Sequence, residues 1–393
     1  MKKTNFILAA LLFILLLAVS GYGVSPVSDK AKNSPKPEIK DFWPVFYKAE
    51  VSRMDFPLSW ENSQKSMSFE QWRKKAREVY IKILAKPPVK TAFNPEVIAV
   101  EDRGTYEARK ILININADCR IKTYLLVPKG KGPFPAVLAL HDHGGHFSIG
   151  KEKVVRPFDE PNEVLTDAQQ WVGRYYGGHF IGDELAKKGY VVFSMDTLGW
   201  GERGTGDSSF KEWMPRMFFS LNMSQLGYTW AGYKVWDDIR SAEFVQGLPE
   251  VDPENIGCVG LSMGANRSWH LTAATDVVKA GVSICWMGDT ESLADPNIIN
   301  TVGYTMLHPG LAEYLDYPDV ASIACPKPML FFSGTKDGLF PIEGVKRAYE
   351  KMGEVWKSQG AEDKLYCKIW EVPHEFNAEM QEDAFNWLDK QLK

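Results

Sequence analysis

The first strong pattern of apolar positions along the chain has the spacing of a helix. From about Phe69 to Lys86, apolar residues recur every three or four positions, which predicts an amphipathic helix with one buried face. Ser68 and Gln71 have the spacing of a capping box at its start, and Pro87 follows its end.

The pattern then changes to alternation and afterwards to continuous apolar runs. Two alternating segments, Tyr106 to Asn116 and Arg120 to Val127, predict an antiparallel pair at a sheet edge. From Pro135 onwards, apolar runs alternate with helical patterns, which predicts a mostly parallel α/β sheet covered by helices on both faces. The predicted strands are 136–140, 190–195, 255–259, 281–286, 328–333 and 365–372, and the predicted helices are 179–188, 233–246, 265 onwards, 343–359 and 376–392.

The N-terminus has the pattern of a targeting segment. Lys2 and Lys3 precede an apolar run from Phe6 to Val19, which is typical of a secretory signal peptide and short for a membrane span. We therefore predict a signal peptide at 1–23, a flexible linker at 24–40, an N-terminal helical extension at 41–100 and a catalytic domain at 101–393. The protein is expected to be exported to the periplasm or beyond, without a stable membrane span after cleavage; a retained anchor is the alternative.

Composition narrows the function classes. The net charge of −4 and the lack of basic clusters argue against a nucleic-acid partner. The five cysteines fall mostly inside predicted strands, which favours buried thiols, although one bridge stays possible in an exported protein. The oligomeric state is left open.

A G-x-S-x-G motif stands between a predicted strand and a predicted helix. Gly260, Ser262 and Gly264 are its fixed positions, and this setting is typical of a nucleophile elbow. The glycines are expected because a Cβ would clash where strand and helix cross closely. The motif predicts Ser262 as a nucleophile.

A serine nucleophile needs a base that is oriented by a carboxylate. Asp337 follows the predicted strand 328–333, and His374 follows the predicted strand 365–372. Carboxyl ends of parallel strands meet at one edge of a sheet, so we expect Ser262, Asp337 and His374 to form a catalytic triad. Asp289 is the alternative acid.

The loop after strand 136–140 contains three histidines and two glycines. His143-Gly144-Gly145 resembles the oxyanion loops of esterases, so we expect the amide of Met263 and an amide of Gly144, Gly145 or His146 to bind the oxyanion. A rival hypothesis uses His141, His143 and His146 as ligands of a hydrolytic metal. We favour a site without metal or cofactor.

Four further residues are candidates for substrate contacts. These are His143, Trp200, Arg267, which could bind a carboxylate, and Trp286, which could stack on a sugar ring. The apolar stretch 213–230 could be a lid or a substrate wall. Asp196 is expected to organise the glycine-rich turn after strand 190–195.

Several segments together resemble the α/β-hydrolase superfamily. They are L-H-D-H-G-G at 140–145, L-A-K-K-G-Y-V-V at 185–192, D-T-L-G-W-G-E-R at 196–203, V-D-P-E-N-I-G-C-V-G-L-S-M-G at 251–264 and S-G-T-K-D at 333–337. The chain is similar to the dienelactone-hydrolase and acetyl-xylan-esterase-like branch, and more closely to esterase-like proteins associated with SusD/RagB glycan uptake.

This resemblance implies the α/β-hydrolase fold, the Ser262–Asp337–His374 triad and a carbohydrate ester as substrate. Deacetylation of plant-type polysaccharides is the first expectation, and methyl- or glucuronoyl-ester cleavage on uronic-acid glycans is the second. Met263 stands where glucuronoyl esterases place an arginine. The alternative from a different class of function is a binding protein that has the hydrolase fold and an inactive triad.

Overall fold

The computed structural model describes residues 45–204, 213–294 and 302–393. Ala49–Lys393 form one compact unit, whose architecture is described below; the first helix begins before it, at Val45. The predicted signal peptide and linker lie outside the described residues. None of the described helices is both long and apolar enough to cross a membrane.

The described elements alternate as the apolar pattern predicts. The strands are β1 (Glu96–Asp102), β2 (Tyr106–Asn116), β3 (Cys119–Pro128), β4 (Phe134–Leu140), β5 (Val191–Met195), β6 (Val251–Leu261), β7 (Ala280–Ile284), β8 (Met329–Gly334) and β9 (Leu365–Trp370). The helices are α1 (Val45–Ser52), α2 (Trp60–Ser63), α3 (Phe69–Ile83), α4 (Asn162–Tyr175), α5 (Ile181–Lys187), α6 (Trp213–Gln225), α7 (Trp230–Gln246), α8 (Met263–Ala274), α9 (Thr290–Leu293), α10 (Tyr317–Ser322), α11 (Ile342–Ser358) and α12 (Ala378–Leu392).

The strands form one sheet in the order β1-β2-β3-β5-β4-β6-β7-β8-β9. The first pairings, as far as β3 with β5, are antiparallel, and those from β5 to β9 are parallel. The carboxyl ends of β4, β6, β8 and β9 therefore open at the same edge, where sheets of this kind place their sites.

Alternate side chains of each central strand enter two separate apolar cores. Leu138 and Cys258 belong to the core on one face, and Val137 and Val259 belong to the core on the other. Both faces are thus covered, which explains why the strands read as unbroken apolar runs. All five cysteines are free thiols, so the possible bridge does not form.

Of two predictions about the N-terminal part, one is confirmed and one is wrong. The capping box at Ser68 forms as predicted, with Gln71 as its partner. However, β1 pairs outside β2, so the β2–β3 pair is not at the edge. β1 itself was not predicted, because its exposed apolar residues, such as Val97 and Val100, do not alternate strictly with polar residues.

Candidate active site

Ser262 occupies the sharp turn between β6 and α8. Its φ of 56° and ψ of −122° lie in a region that residues with a Cβ rarely adopt. A Cβ on Gly260 would lie 2.3 Å from the carbonyl carbon of Gly264, and a Cβ on Gly264 would lie 2.0 Å from the carbonyl oxygen of Leu140. Both glycines are therefore required by the close crossing, for the reason the motif predicts.

Asp337 and His374 are joined by a hydrogen bond. Nδ1 of His374 lies 2.7 Å from Oδ2 of Asp337, and these two side chains are 20% and 1% exposed. The other carboxylate oxygen accepts from the amide of Leu339 at 2.9 Å. With Nδ1–H donating to the carboxylate, the neutral imidazole has its acceptor at Nε2.

The loops that carry these two side chains are fixed to each other through the backbone. The amide of Thr335 donates to Trp370 at 2.8 Å, and the amide of Lys336 donates to Val372 at 3.0 Å. A Cβ on Gly334 would lie 2.2 Å from the carbonyl oxygen of Val372. The Asp337–His374 pair is consequently held by sheet geometry.

Ser262 and His374 open into the same cavity, which has a volume of about 330 Å³. Its walls combine the loop 141–146, which we call the oxyanion loop after its predicted role, with α4, the turn after β6 and the segment 303–306. The lining residues are Asp142, His143, Gly144, Gly145, Trp171, Tyr175, Leu261, Ser262, Gly303, Tyr304, Thr305, Met306, Leu339 and His374. The structure therefore brings together all three residues predicted for the triad.

Of the three candidate loop amides, only that of Gly144 has no hydrogen-bond acceptor among the described residues. The amide of Gly145 donates to Nδ1 of His143 at 2.9 Å, and the amide of His146 donates to the carbonyl of His143 at 3.3 Å. Gly144 lines the cavity at a φ of 58°. Met263 begins α8, where the first amides of a helix have no intrahelical acceptor. Gly144 and Met263 are thus the available pair.

Buried charged side chains hold the oxyanion loop in place through hydrogen bonds. Nζ of Lys153 donates to the carbonyls of Asp142 at 3.1 Å and of His143 at 3.0 Å. The carboxylate of Asp142 accepts from Trp171 at 3.1 Å and from Tyr176 at 2.7 Å. Burial lowers the pKa of Lys153, and the carboxylate of Asp142 opposes that shift.

The three loop histidines have separate partners, so they do not form the metal site of the rival hypothesis. Nε2 of His141 accepts from the amide of Thr197 at 3.0 Å, and its Nδ1 bonds the carbonyl of Asp142 at 2.9 Å. Burial lowers the pKa of this imidazole well below its usual value. His146 bonds Asp167 at 2.6 Å. These contacts support the loop, and they do not arrange the three rings around one metal ion.

His143 lines the cavity as a neutral ring. Burial lowers its pKa, and the ammonium of Lys153 acts in the same direction. Because Nδ1 accepts from Gly145, the ring proton lies on Nε2. His143 is therefore the one predicted substrate contact that the cavity includes.

The other three predicted substrate contacts are buried. Arg267 is 0% exposed and binds Asp238 through Nε at 2.9 Å and Nη2 at 2.6 Å. Trp200 is 0% exposed, and its Nε1 supports the carbonyl of His143 at 3.3 Å. Trp286 is 1% exposed and packs on Phe340 at 5.4 Å. None of these three side chains lines the cavity, because Arg267 and Trp286 are enclosed on α8 and after β7, and Trp200 is enclosed in the turn after β5.

The alternative acid has a structural role. Asp289 caps α9 by accepting from Ser292 at 2.9 Å, and it also pairs with Arg347. Asp196 accepts from the amides of Lys151 and Glu202, and so it organises the turn as predicted.

Several cavity residues were absent from the sequence interpretation. Trp171 and Tyr175 project from α4, whose buried residues Ala168, Trp171 and Val172 recur at helical spacing. This spacing was the available signal. Tyr304 and Met306 lie in an irregular segment, and no periodicity could have identified them.

Comparison with known proteins identifies the family and the fold. The sequence profile described as "Abhydrolase family" matches residues 52–360. The Bacillus subtilis (strain 168) protein named "Putative hydrolase YtaP" is 27% identical over 323 residues, which are 81% of this chain and 100% of that protein.

Two solved structures are also similar. A putative acetyl xylan esterase from Bacteroides fragilis NCTC 9343 has a TM-score of 0.64 at 18% identity, over 84% of this chain and 83% of the other. A glucuronoyl esterase from Solibacter usitatus has a TM-score of 0.58 at 14% identity, over 83% and 94%. Likenesses at such low identity concern the fold, and they confirm the predicted α/β-hydrolase fold.

Proposed function

The chain belongs to the Abhydrolase family, and we propose that it is a serine hydrolase of carboxylic esters that forms an acyl-enzyme. The observation that carries the proposal is the shared cavity of Ser262 and His374, with Asp337 bonded to the far side of the imidazole. These are the parts that acyl transfer by a serine requires.

In this mechanism Nε2 of His374 takes the proton of Ser262 as the hydroxyl oxygen attacks the ester carbonyl. The carboxylate of Asp337 fixes the ring tautomer and stabilises the imidazolium that forms. The amides of Gly144 and Met263 donate to the oxyanion. The imidazolium then gives its proton to the leaving alcohol, and water hydrolyses the acyl-enzyme with the same base.

We further propose that the substrates are carbohydrate esters and that the enzyme acts after export. The names of the similar solved structures, acetyl xylan and glucuronoyl esterases, support a glycan substrate. The basic and apolar N-terminus supports export. Acetyl groups are the first choice of acyl group, and a screen of acetylated and methyl-esterified glycans for released acetate or methanol tests this choice.

The serine mechanism is tested by Ser262→Ala. Hydrolysis of 4-nitrophenyl acetate should fall by a factor of about 10⁴ or more, with unchanged circular dichroism and melting temperature. Ser224→Ala on α6, whose hydroxyl bonds the carbonyl of Ser220, is the matched control and should keep full activity. Turnover by Ser262→Ala near that of the control would refute the mechanism.

A further inference from the structure

A group of buried polar side chains lies behind the wall that Thr305 contributes to the cavity. We call Lys234, Asn266, His270, Thr305 and His308 the deep cluster. Each of them is at most 3% exposed. Thr305 also lines the cavity, so the deep cluster adjoins the proposed active site.

Two contacts and one shared helix link the members of the deep cluster. Nζ of Lys234 donates to the carbonyl of Thr305 at 3.0 Å. The rings of His270 and His308 have their centroids 4.5 Å apart. Asn266 and His270 are one turn apart on α8, in register with Ser262. The cluster thus extends along α8 from below the nucleophile to the back of the wall.

Most polar atoms of the deep cluster have no hydrogen-bond partner among the described residues. They include both amide atoms of Asn266, Nε2 of His270, both ring nitrogens of His308 and Oγ1 of Thr305. Folded proteins satisfy nearly all buried polar atoms. A concentration of exceptions beside a substrate cavity therefore indicates a binding site for a polar group.

The unsatisfied atoms include several donors, among them Nδ2 of Asn266 and one ring nitrogen of the neutral His308. Burial raises the pKa of Tyr80 far above its usual value, so its hydroxyl keeps its proton and can donate it to Nδ1 of His270, 2.6 Å away. In that arrangement the proton of the neutral His270 ring lies on Nε2, and this N–H has no acceptor among the described residues. The ammonium of Lys234 has three donors, of which Thr305 takes one.

The deep cluster also has no anion of its own. Asp238 is the carboxylate that acts on Lys234, and Arg267 already holds it through two hydrogen bonds. Burial lowers the pKa of Lys234 to about 7; the guanidinium of Arg267 acts in the same direction, and the carboxylate of Asp238 opposes it. A site that has a cation and several N–H donors, but no unpaired carboxylate among the described residues, fits a carboxylate ligand.

We propose that Lys234, together with Asn266, His270 and His308, binds a free carboxylate of the substrate, separate from the ester that is cleaved. The carboxylate replaces the carbonyl of Thr305 on Nζ of Lys234, so segment 303–306 moves when it enters. This inference rests on the proposed esterase function and assigns it esters of acidic glycans, such as those that contain uronic acids.

Calorimetric binding to the full-length Ser262→Ala protein tests the inference without turnover. Glucuronate should bind at least about tenfold more tightly than glucose, and Lys234→Met should remove this preference because it deletes the charge at nearly constant volume. Lys327→Met is the matched control, since Lys327 is also a largely buried lysine bonded to backbone carbonyls, at the far end of α8. It should retain the preference.

Equal binding of glucuronate and glucose by the Ser262→Ala protein would overturn the inference, whether or not the Lys234 variant folds. A preference that survives in folded Lys234→Met would overturn it as well. If Ser262→Ala instead keeps its esterase activity, the serine mechanism fails, while the binding result still decides on the carboxylate site.

Discussion

The triad side of the cavity is carried by strand ends, whereas the substrate side is carried by loops and by α4. Ser262, Asp337 and His374 each follow a strand of one parallel array, and the loops of Asp337 and His374 are tied together by backbone hydrogen bonds. Across the cavity, buried side-chain charges such as Lys153 hold the oxyanion loop, and segment 303–306 covers unsatisfied polar atoms.

This difference indicates what each side controls. Strand ends fix positions through a hydrogen-bonded sheet, so the triad geometry is suited to chemistry that tolerates little displacement. The substrate side depends on side-chain packing and charge, which can change without altering the sheet. Changes on the triad side should therefore affect turnover most, and changes on the other side should affect specificity and stability.

The largest expected effect separates the two candidate acids. Asp337→Asn should lower kcat for 4-nitrophenyl acetate by about 10⁴-fold, because the neutral amide favours the wrong imidazole tautomer. Asp289→Asn is the control. Asp289 bonds Ser292 and Arg347, so its loss should change kcat less than about threefold while lowering the melting temperature. The reverse ranking would identify Asp289 as the catalytic acid.

Gly264→Ala tests the close crossing at the elbow. Its Cβ would lie 2.0 Å from a backbone oxygen of Leu140, so the free energy of unfolding should fall by about 3 kcal/mol. Gly353→Ala, in the interior of α11 with nothing within 4 Å of the new Cβ, should instead stabilise the fold by about 0.5–1 kcal/mol. Urea denaturation measures both, and a neutral Gly264→Ala would contradict the elbow geometry.

Lys153→Met tests whether charge holds the oxyanion loop. Loss of the two donors to the carbonyls of Asp142 and His143 should shift the loop and lower kcat by about 10²-fold. Labelling of Ser262 by a small phosphonate, which depends on the same loop, should slow in parallel. An unchanged kcat in the folded variant would show that the backbone alone fixes the loop.

A pH dependence of stability is expected from Lys234. Its pKa of about 7 in the folded protein is below the value of about 10.4 in an unfolded chain. The unfolded chain then binds more protons between these two values, so stability rises with pH across that window. Relative to Lys234→Met, the wild type should gain about 1 kcal/mol per pH unit from pH 7 to 10. Parallel unfolding curves of the two proteins would contradict the assigned burial.

The three residues of the proposed triad could be found in the sequence because their signals are local. Ser262 is marked by two glycines, and Asp337 and His374 each follow a readable apolar strand. Parallel strand ends meet at one edge, so their convergence follows from the strand order without any knowledge of packing.

Substrate contacts could not be predicted in the same way. Trp286 ends a strand region but is covered by Phe340 and Tyr317, and Arg267 lies on a face of α8 that packs on α7. Burial of a side chain depends on elements distant in the sequence, which no local pattern records. β1 was missed for a related reason, since an exposed edge strand carries little hydrophobic signal.

Covalent labelling by a fluorophosphonate tests the central claim most directly. We predict a single adduct, located on Ser262 by peptide mass spectrometry. Labelling should be much slower in His374→Gln, because the base is lost. An unlabelled wild-type protein would indicate an idle triad, and an adduct on another serine would assign the nucleophile elsewhere. Either result would contradict the account.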